Sequence, residues 1–271
     1  MRVRFEKWEG LGNDFILLRD VGIAVDDALV RRLCDRRFGI GGDGLLLVHA
    51  GSDGAPPRMI VRNADGSRPE MCGNGLRCVA AHLATSGVVV VATDAGDRAC
   101  EVQPGGEADG ADVRVDMGVA RRGADLVAVV GGREHRFSTV DMGNPHAVSF
   151  EAYDDAFLDV LGPAVAVAPS GGTNVEICRL LEEDDRPRAS GPRAHIAVAV
   201  WERGVGRTLA CGTGACAVAA VACDTGRARY DLPVTVALPG GALEVTVAAG
   251  TRAVRMRGPA RRVFSGEVVI A

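Results

Sequence analysis

Apolar and polar residues alternate with a period of two in short runs spread over the whole chain: Phe15 to Arg19, Leu45 to His49, Met59 to Asn63, Val113 to Met117, His195 to Trp201, Ala242 to Val247 and Glu267 to Ile270. Such alternation marks strands with one buried face. The opening "MRVRFEKWEG" alternates in the same way and has no apolar stretch of the signal-peptide kind, so it reads as the first strand of the mature fold. Helical spacing is rarer. It predicts helices over Asp26 to Phe38, closed by Gly39, and over Asp154 to Leu161, stopped by Gly162-Pro163. Two further helices follow Cys72 and Cys211; both are nearly apolar all round, the pattern of a helix buried inside a soluble protein.

Those two helices open on matching stretches, "MCGNGLRCVAAHLA" from Met71 and "ACGTGACAVAAVAC" from Ala210. Superposing Cys72 on Cys211 also superposes Gly73 on Gly212, Gly75 on Gly214 and the Val-Ala-Ala at Val79 on that at Val218. Nine residues upstream, Asn63 in "MIVRNADGSRPEMC" falls on Glu202 in "AVAVWERGVGRTLAC", and "GLGNDF" around Asn13 echoes "DMGNPH" around Asn144. Each half thus reads strand, glycine-bearing loop, cysteine, buried helix. The pattern points to an internal duplication, with a domain boundary near residue 118. The loop "QPGGEADGAD" (103–112) reads as a hairpin connection.

Composition narrows the choice of partner. The chain has 271 residues, room for two domains with separate cores. No apolar run approaches the ~18 residues that a membrane span requires, and a net charge of −4 with dispersed Lys and Arg leaves no electrostatic footprint for nucleic acid. A small-molecule substrate and a cytoplasmic location are expected. Eight cysteines without an export signal are expected to be thiols rather than a disulfide framework. Their spacing, 72/78 and 211/216 with no neighbouring His pair, does not suit a metal site.

A cysteine just before a helix lies near unpaired amides and the positive end of the helix dipole, an arrangement that lowers thiol pKa. Glycines at 73, 75, 212 and 214 let a ligand approach the backbone, so each helix start reads as a carboxylate or phosphate cradle beside a thiol. Two thiols on opposite sides of one carbon, roughly 3–3.5 Å from it, are what inversion of a stereocentre requires: one removes a proton while the other supplies one. Cys34, Cys78, Cys100, Cys178, Cys216 and Cys223 read as structural thiols, as His49, His82, His135 and His195 read as structural histidines. His146, after Gly-Asn-Pro, is the histidine with a functional position in a loop.

The motifs "GLGNDF", "NADGS", "MCGNG", "MGNPH", "TNVE" and "WERGVGRTLACGTGACA" resemble, in order and over nearly the full length, the diaminopimelate epimerase family. The resemblance implies a cofactor-independent isomerase that interconverts LL- and meso-diaminopimelate for lysine and peptidoglycan biosynthesis. It implies an α+β fold of two pseudo-symmetric domains, residues 1–118 with Cys72 and 119–260 with Cys211, in each of which a mostly antiparallel sheet wraps a central helix, with residues 261–271 as a final strand returning to the first domain, and a homodimer. By the same resemblance Cys72 and Cys211 are the acid/base pair, and His146 and Glu202 tune them. Asn13, Asn63, Gly73, Asn74, Asn144, Asn174, Glu202, Arg203, Gly212 and Thr213 hold the substrate. A distal amino-acid head needs an anion for its ammonium and an arginine for its carboxylate. Glu202 and Arg203, as neighbours on a strand, serve together only if the strand ends there, as the following "GVG" suggests. One departure is Gly44 in "GIGGDG", where many family members carry a glutamine that contacts substrate, so position 44 is left out of the site.

Other readings fit less well. "GIGGDG" matches the dinucleotide fingerprint, but it follows a helix and precedes a strand, the reverse of the order that phosphate binding requires. A proline or hydroxyproline racemase also uses two opposed cysteines, yet normally has His after the first Cys-Gly, where this chain has Asn74. A thiol redox protein is the alternative from another class; it would need cysteines that bond to each other in the working state.

Overall fold

The computed structural model describes residues 1–22, 24–52, 54–105, 110–151, 154–181 and 194–270. The chain divides into two compact units, one of residues 1–115 with 257–271 and one of residues 116–256. The first contains β1 (Arg2–Gly10), β2 (Asn13–Arg19), α1 (Asp27–Cys34), β3 (Gly44–His49), β4 (Arg58–Asn63), α2 (Gly73–Leu83), β5 (Gly87–Thr93), β6 (Gly96–Pro104) and most of β7 (Gly110–Val119). The second contains β8 (Arg121–Arg122), β9 (Leu126–Val130), β10 (Arg133–Asp141), β11 (Pro145–Ser149), α3 (Leu158–Ala166), β12 (Asn174–Leu181), β13 (His195–Glu202), β14 (Gly206–Arg207), α4 (Gly212–Asp224), β15 (Pro233–Leu238) and β16 (Gly241–Val247). β17 (Ala253–Val269) begins in the second unit and ends in the first, where it pairs antiparallel with β1 from Arg2↔Val269 to Glu9↔Arg261.

The duplication is written in the strand pairing. In the first unit β1–β2 is antiparallel, β2–β3 parallel, β3–β4 antiparallel, β4–β5 parallel and β5–β6 antiparallel. In the second unit β10–β11, β11–β12, β12–β13, β13–β15 and β15–β16 repeat that order. Parallel neighbours need a crossover, and the crossovers also correspond: α1 and α3 sit in the first of each set, α2 and α4 in the second. Helix α2 touches every strand from β1 to β6, and α4 touches β10, β11, β12, β15 and β16. The apolar runs after the two cysteines are therefore the central helices of their units, as their all-round hydrophobicity predicts.

The central strands are covered on both faces. Leu45 and Leu47 of β3 join Leu29, Val30 and Leu33 of α1 in one core cluster, while Leu46 faces α2, where a Cβ on Gly75 would lie 2.7 Å from its Cδ2. Likewise Val175 and Ile177 of β12 pack with Leu158, Leu161 and Val165 of α3, while Glu176 faces α4, where a Cβ on Gly214 would lie 2.6 Å from its Oε1. Gly75 and Gly214 thus have a packing role besides any ligand role.

Two sequence expectations need correction. Helix α1 ends at Cys34 rather than Phe38, because Asp35 Oδ1 accepts from the amides of Arg37 (2.7 Å) and Phe38 (2.8 Å) and turns the chain. Helix α3 does not stop at Gly162-Pro163 but runs to Ala166. Its apolar side is anchored in the core and Gly162 lies on the Trp201 ring, where a Cβ would meet Cδ2 at 2.7 Å; that packing outweighs the ~3 kcal/mol cost of an interior proline. Helix α2, nearly apolar in sequence, carries a fully buried charge: Arg77, whose Nε donates to the Pro259 carbonyl at 3.1 Å. Of the loop 103–112, the flanking residues pair as a hairpin from Pro104↔Ala111, and 106–109 lie outside the described residues.

Candidate active site

Cys72 and Cys211 are the N-caps of α2 and α4, with extended backbones at φ −134°, ψ 117° and φ −122°, ψ 109°. Each sulfur accepts from the amide three residues on, Gly75 N to Cys72 Sγ at 3.5 Å and Gly214 N to Cys211 Sγ at 3.3 Å. Each cysteine carbonyl takes the next amide, Leu76 N at 2.8 Å and Ala215 N at 2.9 Å. The helices' own backbone bonding therefore begins at Leu76 and Ala215. The amides of Gly73, Asn74, Gly212 and Thr213 precede any helical carbonyl that could satisfy them, the general condition for an anion cradle.

Within the first unit, Asn74 and Asn13 meet: Asn74 Nδ2 donates to Asn13 Oδ1 at 3.2 Å. Asn13 Nδ2 donates in turn to Asp43 Oδ2 at 2.6 Å, an oxygen that also takes the Asp14 amide at 3.0 Å. Asp43, inside "GIGGDG", fixes the Asn13 amide and was not singled out from the sequence. Gly44 has a packing explanation, since a Cβ there would meet the Arg62 carbonyl oxygen at 2.5 Å. Asn63 ends β4 and closes the "NADGS" turn, donating Nδ2 to Ser67 Oγ at 2.9 Å.

In the second unit, β13 ends at Glu202, the condition under which Glu202 and Arg203 serve together. Glu202 Oε1 accepts from Thr208 Oγ1 at 2.6 Å. The Arg203 amide donates to Asn174 Oδ1 at 2.9 Å, Asn174 Nδ2 donates to the Pro145 carbonyl at 3.2 Å, and the exposed Arg203 guanidinium donates to the Gly171 carbonyl. Asn174 is thus a clamp that holds two loops. His146 is not in a loop: it is the second residue of β11 and fully buried. Its Nδ1 lies 2.7 Å from Glu176 Oε1 and its Nε2 lies 3.0 Å from Asn144 Oδ1. Glu176, the last residue of "TNVE", is a buried site residue that the sequence does not mark.

The expectation of a lowered thiol pKa fails for Cys211. That residue is 6% exposed, and burial, followed by the negative charges of Glu202 and Glu176, pushes its thiol well above the ordinary cysteine range; the bonds from Thr213 and the Gly214 amide oppose this without reversing it. Desolvation and two carboxylates outweigh the helix dipole. Burial likewise pushes the Cys34 thiol up to about 11, Cys100 to about 12 and Cys223 to about 11. Cys72 is only half-buried. Iodoacetamide at pH 8 is therefore expected to modify Cys72 first on the native protein, faster than any other thiol by at least about tenfold. Peptide mapping by mass spectrometry checks the order, and equal labelling of Cys211 would contradict this account.

Among the described residues no group of three or more His, Cys, Asp and Glu is arranged to hold a metal ion, and no helix is long and apolar enough to cross a membrane. The fold is similar to that of a hydroxyproline epimerase from Agrobacterium vitis (TM-score 0.71, 16% identity, 98% of this chain and 91% of that one). It is similar also to a probable proline racemase from Agrobacterium radiobacter (TM-score 0.70, 15% identity, 99% and 93%). At such identities the likeness concerns architecture alone. In sequence the chain is 42% identical to the diaminopimelate epimerase of Desulforudis audaxviator, over 99% of this chain and all of that protein, and 40% identical to that of Synechocystis, over the whole of both. The family model described as diaminopimelate epimerase matches residues 5–123 and 138–263. With both cysteine units inside that match, the chain belongs to the diaminopimelate epimerase family.

Proposed function

We propose that this chain is a pyridoxal-independent epimerase that interconverts LL- and meso-diaminopimelate, with Cys72 and Cys211 as its acid/base pair. The observation that carries the reading is the duplicated helix start: two thiols, each capping a central helix and each taking an amide from the residue three positions on. In one direction the Cys72 thiolate removes the α-proton and the Cys211 thiol donates its own proton to the opposite face; in the other direction the roles exchange. No atom is gained or lost by the substrate, and each turn leaves the proton on the other sulfur. The amides of Gly73, Asn74, Gly212 and Thr213 hold the α-carboxylate and stabilise the charge that builds on it as the α-proton leaves.

Glu202 receives the distal ammonium and Arg203 the distal carboxylate, while Asn13, Asn63, Asn74, Asn144 and Asn174 order the surrounding loops and the substrate. His146 and Glu202 set the proton affinity of the thiols. The raised Cys211 thiol supports its starting as the acid. An ammonium bound at Glu202 offsets one of the two charges that keep it protonated, so substrate binding itself eases the return proton transfer. The enzyme acts without cofactor or metal, in the cytoplasm and as a homodimer.

The test is LL-diaminopimelate with reduced protein in deuterium oxide and no added cofactor. Deuterium at the α-carbon together with the meso isomer is expected. Absence of both, with the thiols shown to be reduced and with trans-4-hydroxyproline and proline run in parallel, would overturn the reading.

A further inference from the structure

The strand pairing supplies an internal control for the buried pair His146–Glu176. In the first unit Phe15 stands opposite Gly44 and Leu17 opposite Leu46; in the second, His146 stands opposite Asn174 and Val148 opposite Glu176. Phe15 thus occupies the slot of His146, and Leu46 that of Glu176, each two residues beyond the equivalent Asn13 or Asn144 or Gly44 or Asn174. The contacts agree, since Leu46 abuts Gly75 in the first turn of α2 as Glu176 abuts Gly214 in the first turn of α4. One repeat fills these slots with an apolar pair, so packing does not call for a carboxylate and an imidazole in the other.

Keeping Glu176 there is costly. The residue is 0% exposed, and its Oε2 is buried without a hydrogen-bond partner among the described residues. An unsatisfied buried acceptor costs about 1–3 kcal/mol, and replacing a whole buried polar pair with apolar residues is often neutral or stabilising. Such a group asks for an account in function.

The hydrogen bonds give one. An amide oxygen only accepts, so His146 Nε2 carries the proton that it shares with Asn144 Oδ1 at 3.0 Å. The opposite ring nitrogen, Nδ1, faces Glu176 Oε1 at 2.7 Å. With its oxygen taken, half-buried Asn144 keeps its Nδ2 without a partner among the described residues, as a donor for an incoming anion. Reversal of that amide would instead present an acceptor to a substrate carboxylate.

We propose that Glu176 is a positioning residue of this site: through His146 it locks the Asn144 amide with its nitrogen toward the substrate carboxylate. The proposal rests on the epimerase reading above. It assigns the direction of the Asn144 amide to a residue two bonds away in the hydrogen-bond chain. The first repeat does the opposite, because there the nitrogen of Asn13 is the tethered atom, held by Asp43.

The test compares Glu176→Leu, which installs the first repeat's residue, with Glu176→Gln, whose amide can still donate to Nδ1. Glu176→Leu leaves the buried His146 Nδ1 without its partner and is expected to lower the thermal midpoint, and to raise KM for diaminopimelate at least about tenfold, the worth of one hydrogen bond to a charged group. Glu176→Gln is expected to hold KM within about threefold of the parent. In an Asn144→Ala background, Glu176→Leu should change KM by less than about twofold, because its route of action is already gone. A folded Glu176→Leu enzyme with unchanged KM, or one whose effect adds fully to that of Asn144→Ala, overturns the proposal. Nitrogen-15 spectra of histidine-labelled parent protein give a readout free of turnover: a protonated His146 Nε2 is expected, and an unprotonated one overturns the proposal even if the Leu variant fails to fold. A parent protein inactive on diaminopimelate would sink the functional reading while leaving that spectroscopic result standing.

Discussion

Replacing Cys72 with alanine is expected to lower kcat for epimerisation of LL-diaminopimelate by about 10²–10⁴-fold, the range attributable to one positioned acid/base group. The fold should survive. Cys72 is half-buried at a helix start, and its sulfur accepts a long bond from the Gly75 amide. Loss of an N-cap acceptor costs about 0.5–2 kcal/mol, too little to unfold a unit whose central helix touches six strands. Stereochemistry separates lost chemistry from general damage. With Cys211 alone, a proton can leave and return on one face only, so any residual solvent exchange should proceed with retention of configuration. Cys78→Ala is the control: that thiol is fully buried within α2, and burial raises its pKa so that it stays protonated. Its removal should cost stability and leave inversion intact. Inversion by Cys72→Ala at the parent rate would end the two-thiol account.

Much of this site can be read from the chain because its geometry is local. A cysteine followed by Gly-x-Gly and an apolar run is an N-cap with its helix, and the hydrogen bonds that matter to Cys72 and Cys211 reach only three residues along the sequence. The repeat was visible for the same reason, since "MCGNG" and "ACGTG" survive as words. What escaped is long-range. Glu176 reads as an ordinary polar residue of the strand "NVEICRLL", and only the enclosure of β12 between α3 and α4 shows that it is buried. Asp43 reads as a loop aspartate until its bond to Asn13, thirty residues away, is seen.

The sign of the Cys211 shift was missed through a related gap. Sequence supplies the helix dipole, which acts locally. It does not supply burial or the approach of Glu202 and Glu176, and these stronger influences decide the outcome. The overrun of α3 through Pro163 has the same origin, a local penalty overridden by tertiary packing on Trp201.

Glu202→Gln is expected to move two observables in opposite directions. If the carboxylate receives the distal ammonium, its loss removes a charge-assisted bond worth about 1.5–3 kcal/mol, and KM rises roughly 10- to 150-fold. The amide keeps the shape and can still accept from Thr208, whose hydroxyl now lies 2.6 Å from Glu202 Oε1. The Cys211 thiol should respond the other way. Its pKa is raised first by burial and next by the charge of Glu202. Removing that charge leaves burial and Glu176 in place and lowers the pKa without returning it to the ordinary value. At any pH below the new pKa more thiolate is then present, so the rate of Cys211 alkylation against pH should shift to lower pH in Glu202→Gln while turnover of diaminopimelate falls. A merely damaged enzyme would lose turnover and expose several thiols together. Iodoacetamide kinetics from pH 7 to 10, resolved by peptide, separate the cases: selective acceleration at Cys211 together with the raised KM supports Glu202 as both thiol-tuning charge and ammonium acceptor, and an unmoved Cys211 profile would leave burial and Glu176 as the cause.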